Sequence, residues 1–158
     1  MYDREKAVAY AHKWAFGRNP DFYDFSKIGG DCTNFASQVV YAGYGEMNDT
    51  PVYGWYYYDL NDRAPAWTGV NELYRFLTTN QGLGPKAVET TIKGIEPGDL
   101  VQLDFEGDGI YDHTPVIVDV GDHTLDTVLV AAHSKDADNR PLSTYPFARL
   151  RFLHILDE

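Results

Sequence analysis

Cys32 is the only cysteine in the 158 residues, and it stands in the run Asp31-Cys32-Thr33-Asn34-Phe35-Ala36-Ser37-Gln38. It follows Gly29-Gly30, and Phe35, Ala36, Val39, Val40 and Gly43 continue from it at helical spacing. This pattern predicts a helix that begins at Cys32, with the thiol on the stripe facing the body of the domain. The partial positive charge of a helix start favours thiolate, the nucleophilic form of cysteine. The chemistry such a residue performs is attack on a carbonyl, with a thioester formed and then resolved. The backbone N–H of Cys32, unpaired at a helix start, supplies one oxyanion donor. Asp31 works against thiolate if it points at the sulfur. Its carboxylate is therefore expected to turn away, towards backbone N–H groups or a loop partner.

A cysteine nucleophile needs a base, and the base needs a group that orients it. Five histidines are available: His12, His113, His123, His133 and His154. His113 follows the turn Gly107-Asp108-Gly109 and heads the apolar run Thr114-Pro115-Val116-Ile117-Val118, a rigid seat for a base. His133 ends the run Val128-Leu129-Val130-Ala131-Ala132. If the two runs pair as a hairpin, His133 reaches His113 and fixes its tautomer. Asp138 and Asn139 are second choices for that third role. His12 and His154 read as structural. Trp55 and Trp67 are candidate substrate contacts in an aromatic groove, with Asn34 a further polar candidate or a bond to neighbouring loops.

No metal or cofactor is expected. The segment Asp104 to Asp112 opens like a calcium loop, with acids at positions 1, 3 and 5 and glycine at 6, but position 12 is Pro115 rather than glutamate. An acid-rich turn explains it as well. The histidines show no tight zinc-ligand spacing.

These residues need elements to hold them. Asp3 can cap a first helix running to about Phe16, with Ala7, Tyr10, Ala11 and Trp14 on one face. Residues 46–67 show no clean period and read as a long loop. A third helix spans about Val70 to Thr79. Strands are expected over Leu100–Leu103, His113–Val120, Thr127–His133 and Leu150–Ile155, with a turn at Gly121-Asp122. Helices first and an antiparallel sheet of four to six strands second is an α+β layout, read as one domain over residues 1–158.

The net charge of -11 argues against nucleic acid as a partner. One cysteine allows no internal disulfide. No apolar run is long enough for a membrane span. The start of the chain lacks the apolar core of a signal peptide, which leaves a cytoplasmic protein or a domain of a longer exported, cell-wall-associated one.

The cysteine run, the preceding helix with Arg4, Lys6, Ala7 and Tyr10, Trp67 ahead of a helix, Pro97-Gly98-Asp99, His113, Ala132-His133-Ser134 and Asn139-Arg140-Pro141-Leu142 together resemble the bacterial putative amidase domain family. The resemblance runs from about Tyr2 to Phe152. It implies a papain-like fold near the NlpC and CHAP cell-wall amidases, with Cys32 as nucleophile, His113 as base, His133 as the third residue, and an amide of a peptide or peptidoglycan type as substrate. A wall-binding module without catalysis, or a thiol acyltransferase, on the same fold are the alternatives. The sequence does not set the oligomeric state.

Overall fold

The computed structural model describes residues 1–157. Helix α1 spans Arg4–Trp14, and the Asp3 carboxylate caps it by accepting the Lys6 N–H at 3.1 Å. Helix α2 spans Cys32–Tyr44 and ends on Gly45, whose left-handed φ of 81° returns its N–H to the Tyr41 carbonyl. The two helices cross at Gly43. A Cβ there would lie 2.6 Å from the Tyr2 ring and 2.7 Å from the Asp3 carbonyl oxygen, so the crossing requires glycine.

The stretch read as a loop holds three short elements: β1 (Tyr57–Asp59) paired with β2 (Asp62–Arg63), and α3 (Pro65–Thr68), which starts on a proline. Helix α4 (Val70–Thr79) follows and buries Leu73, Phe76 and Leu77.

Six strands form the main sheet: β3 (Ala87–Thr90), β4 (Leu100–Asp104), β5 (Val116–Asp119), β6 (Leu129–Ala132), β7 (Ala137–Pro141) and β8 (Arg149–Ile155). Their order is β3-β8-β4-β5-β6-β7, antiparallel throughout. Alternate residues serve two cores. Leu100, Val116, Val118, Ala131 and Leu153 meet Phe35, Ala36, Val39 and Val40 of α2 on the helical side. Val101, Leu103, Ile117, Val130 and Phe152 meet Ile95 and Leu142 on the other. With both faces covered, Val116-Ile117-Val118 is apolar without a break.

The fold is thus α+β, with N-terminal helices packed on a large antiparallel sheet. Two strands differ from the expectation. β3 and β7 are too polar or too short to show as strands, since β7 is Ala-Asp-Asn-Arg-Pro and lies at the sheet edge. The strand expected from His113 begins in register only at Val116. His113 makes a separate bridge to Leu103, because Pro115 has no N–H to carry the ladder through.

Candidate functional site

The turn before α2 is built by Gly29 and Gly30 at φ 82° and 99°, a region that glycine enters at little cost. The Phe25 carbonyl accepts both the Ile28 and Gly30 N–H groups. This delivers Asp31 into the interior, where it is 1% exposed. Its carboxylate caps no N–H of α2. One oxygen accepts the Phe25 N–H and the Asn34 amide, each at 2.8 Å, and the other lies 2.6 Å from Nδ1 of His133. The expectation that Asp31 turns away from the sulfur is met, and its partner is the histidine that the sequence had set beside His113.

His133 is therefore held elsewhere than expected. Its Nδ1 faces Asp31, its Nε2 lies 2.8 Å from the Trp14 carbonyl, and its ring stacks on Phe35 at 4.0 Å. Arg18 completes the cluster. It grips Asp136 through both terminal nitrogens at 3.0 and 2.9 Å and reaches Nε2 of His133 at 3.1 Å. Of the second choices, Asp138 pairs with His12 at 2.8 Å, and Asn139 is exposed on β7.

Cys32 is half-buried at the first position of α2. The helix start was expected to lower its pKa. Burial instead pushes the thiol up, Asp31 adds to this, and hydrogen bonds from the Thr33 side chain and from the backbone of Thr114 and Thr33 counter it only in part. Thr114 is the residue after His113. Its hydroxyl also lies 3.1 Å from the Thr33 hydroxyl. The two chemistry-bearing segments therefore meet at one threonine. Among the described residues, no hydrogen bond links His113 to Cys32 or to His133.

His113 lines an open cleft of about 550 Å³ together with Phe105, Ser134, Lys135, Arg140, Tyr145 and Pro146. Its ring lies 6.1 Å from that of Phe105 and 5.7 Å from that of Tyr145. Burial, with the Arg140 charge second, pushes its pKa down to about 4, so the imidazole is neutral at neutral pH.

The expected substrate contacts lie elsewhere. Trp55 and Trp67 are both 0% exposed, with ring centroids 4.6 Å apart. Their N–H groups donate to Ser37 and Asn34, each at 3.0 Å. Asn34 is itself buried and bonds Asp31 and the Tyr23 carbonyl. These two tryptophans fill the core beneath α2 rather than a groove. Arg18, Thr114, Arg140 and Tyr145 were given no functional role from sequence. The Arg18–Asp136 pair spans 118 residues, and no local spacing signals it.

The acid-rich turn is satisfied from within. The two oxygens of Asp104 accept the Gly107 and Gly109 N–H groups at 2.9 and 2.8 Å, and Asp112 accepts the Phe105 N–H at 3.0 Å. Among the described residues, no three His, Cys, Asp or Glu side chains converge as metal ligands. No helix among them is long and apolar enough to cross a membrane.

Helices that lead into an antiparallel sheet, with a lone cysteine opening the central helix, are consistent with a papain-like arrangement. The chain belongs to the family described as "Putative amidase domain", whose profile matches residues 1–155. Among curated proteins it is similar to YhbB of Bacillus subtilis (strain 168), described as uncharacterized, at 35% identity over the whole chain and 51% of the relative. It is also similar to YjcM of the same organism, likewise described as uncharacterized, at 26% identity over 89% of the chain and 32% of the relative. The chain thus spans about half the length of the first and a third of the second. No solved structure matches it significantly.

Proposed function

We propose that this domain is a cysteine-dependent amidase that cleaves an amide bond through a thioester on Cys32, with His113 as its base. The observation that carries the reading is the Thr114 contact. The residue next to His113 hydrogen-bonds through its side chain to Thr33, the residue next to Cys32. Membership of the amidase family supports the same reaction class.

The reaction starts from a neutral pair, because burial disfavours both the thiolate and the imidazolium. His113 takes the thiol proton as sulfur attacks the carbonyl carbon. The oxyanion forms at the start of α2, where free N–H groups and the helix dipole favour negative charge. The imidazolium then gives its proton to the departing amine, and the thioester remains. Water, deprotonated by His113, hydrolyses it and restores the thiol. His133 acts through Asp31: it holds that carboxylate away from the sulfur and so positions the helix start. The substrate class on this reading is a peptide or peptidoglycan-type amide.

The test is amine release from a panel of peptide amides and wall-derived peptides by the wild-type protein and by Cys32→Ser. Turnover that vanishes in Cys32→Ser supports the reading. Turnover that survives the substitution overturns it. Added amine acceptors separate hydrolysis from acyl transfer by their products.

A further inference from the structure

We propose that the cleft beside His113 binds a free carboxylate of the substrate through Arg140, Lys135 and the Tyr145 hydroxyl. The inference rests on the amidase reading and names the substrate class of that site.

The chain carries 24 acidic and 13 basic side chains, so an open cleft lined by two cations and no carboxylate is an exception. Clefts of about 540, 510 and 460 Å³ elsewhere on the surface each include an Asp or Glu. The acids nearest in sequence to Lys135 and Arg140 are occupied elsewhere. Asp136 is gripped by Arg18, and Asp138 is paired with His12. Lys135 is exposed and pairs with no acid among the described residues.

Arg140 is aimed by its neighbours. Its Nε donates to the Thr144 hydroxyl at 2.7 Å and one terminal nitrogen to the Thr144 carbonyl at 3.0 Å, while the guanidinium lies 3.7 Å over the Tyr145 ring. The other terminal nitrogen makes no hydrogen bond with a described residue. Tyr145 is 8% exposed, and its hydroxyl is buried close to the Arg140 guanidinium without a well-formed hydrogen bond to any described residue. An unpartnered buried hydroxyl is costly, and one beside the Arg140 guanidinium in a cation-lined cleft is a group that a bound acceptor would satisfy. A carboxylate accepts from all three groups at once, and guanidinium suits its planar geometry. Because His113 lines the same cleft, the carboxylate belongs to a residue adjoining the scissile amide.

Two sources offer this group: the side chain of an acidic residue, or the α-carboxylate of a chain end. The first arm compares alanyl-glutamyl p-nitroanilide with its glutaminyl twin. The second compares dansyl-alanyl-alanyl-alanine with its C-terminal amide. Each pair is measured for kcat/KM on the wild-type protein and for binding to Cys32→Ala. The expected result is a preference for the acid of about tenfold or more in one arm, as for a charge-assisted contact. That ratio falls towards one in Arg140→Gln and in Lys135→Gln, and is partly kept in Arg140→Lys. Lys135 is exposed, so its variant reads the site without risk to the fold. Acid-selective binding to Cys32→Ala with no turnover by wild type sustains the cleft and defeats the amidase reading. Turnover with equal rates for acid and neutral twins sustains the amidase and overturns the cleft. Absence of both binding and turnover in both arms overturns the cleft as well.

Discussion

Thr33 and Thr114 face each other with their hydroxyl oxygens 3.1 Å apart, and each is the residue directly after a candidate catalytic side chain. The contact joins positions 81 residues apart in sequence and fastens the start of α2 to the strand edge that carries His113. Both threonines are fully buried. Thr114→Val keeps the shape and leaves the Thr33 hydroxyl with one partner fewer. We expect a stability loss of about 1 kcal/mol in urea unfolding and a larger proportional loss of amidase kcat, since the two segments shift relative to each other. Unchanged kcat with lowered stability would reduce the contact to packing.

His113 sets the pH behaviour. Its pKa is pushed down to about 4, so the base-competent neutral form persists well below the ordinary histidine range. The acid limb of kcat/KM should therefore fall near pH 4 rather than near 6.5. Folding follows the same sign. Between those two values the unfolded chain binds the extra proton, so His113 lowers stability as pH drops through that window, and His113→Gln removes that slope. His113→Ala should cut kcat by about 100-fold or more.

Cys32 gives a separate pH signature. Burial pushes its thiol up, so iodoacetamide alkylation should rise through a midpoint above the free-thiol value of about 8.5. A midpoint well below that value would mean a preformed thiolate–imidazolium pair and contradict the neutral resting state.

Asp31 and His133 are each 1% exposed and bonded at 2.6 Å. Asp31→Ala strips His133, the Phe25 N–H and the Asn34 amide of a partner together. The expected cost is about 3 kcal/mol in chemical denaturation, against a smaller one for Asp31→Asn.

Trp55 separates a core role from a binding one. Trp55→Phe loses the bond to Ser37 and some volume, for about 2 kcal/mol of stability. KM should stay the same. A raised KM with unchanged melting temperature would restore the groove expected from sequence.

The parts of the fold with strong periodicity were legible in the sequence. The α2 stripe from Phe35 to Val40 repeats at 3.6 residues because one face meets a core, and the run from Val116 to Val118 is apolar without a break because both of its faces do. β7 was hidden, since an edge strand such as Ala137–Pro141 carries mostly polar residues. At the site, Cys32 was visible from its isolation and its helix start. The true partner of His133 was not, because the Asp31 contact joins residues 102 positions apart and depends on how the 17–31 connection folds back. Trp55 and Trp67 misled for a related reason: tryptophan serves cores and grooves alike, and only burial separates them. The lowered thiol pKa expected from the helix start is opposed by burial, which pushes the Cys32 thiol up.

Acid-quenched single turnovers with an amide substrate, followed by peptide mapping in the mass spectrometer, test the central claim most directly. The account predicts an acyl mass on the peptide containing Cys32 in the wild-type protein, with its formation slowed by about 100-fold or more in His113→Ala. Product release without any acyl-Cys32, or acylation equally fast in His113→Ala, would contradict it.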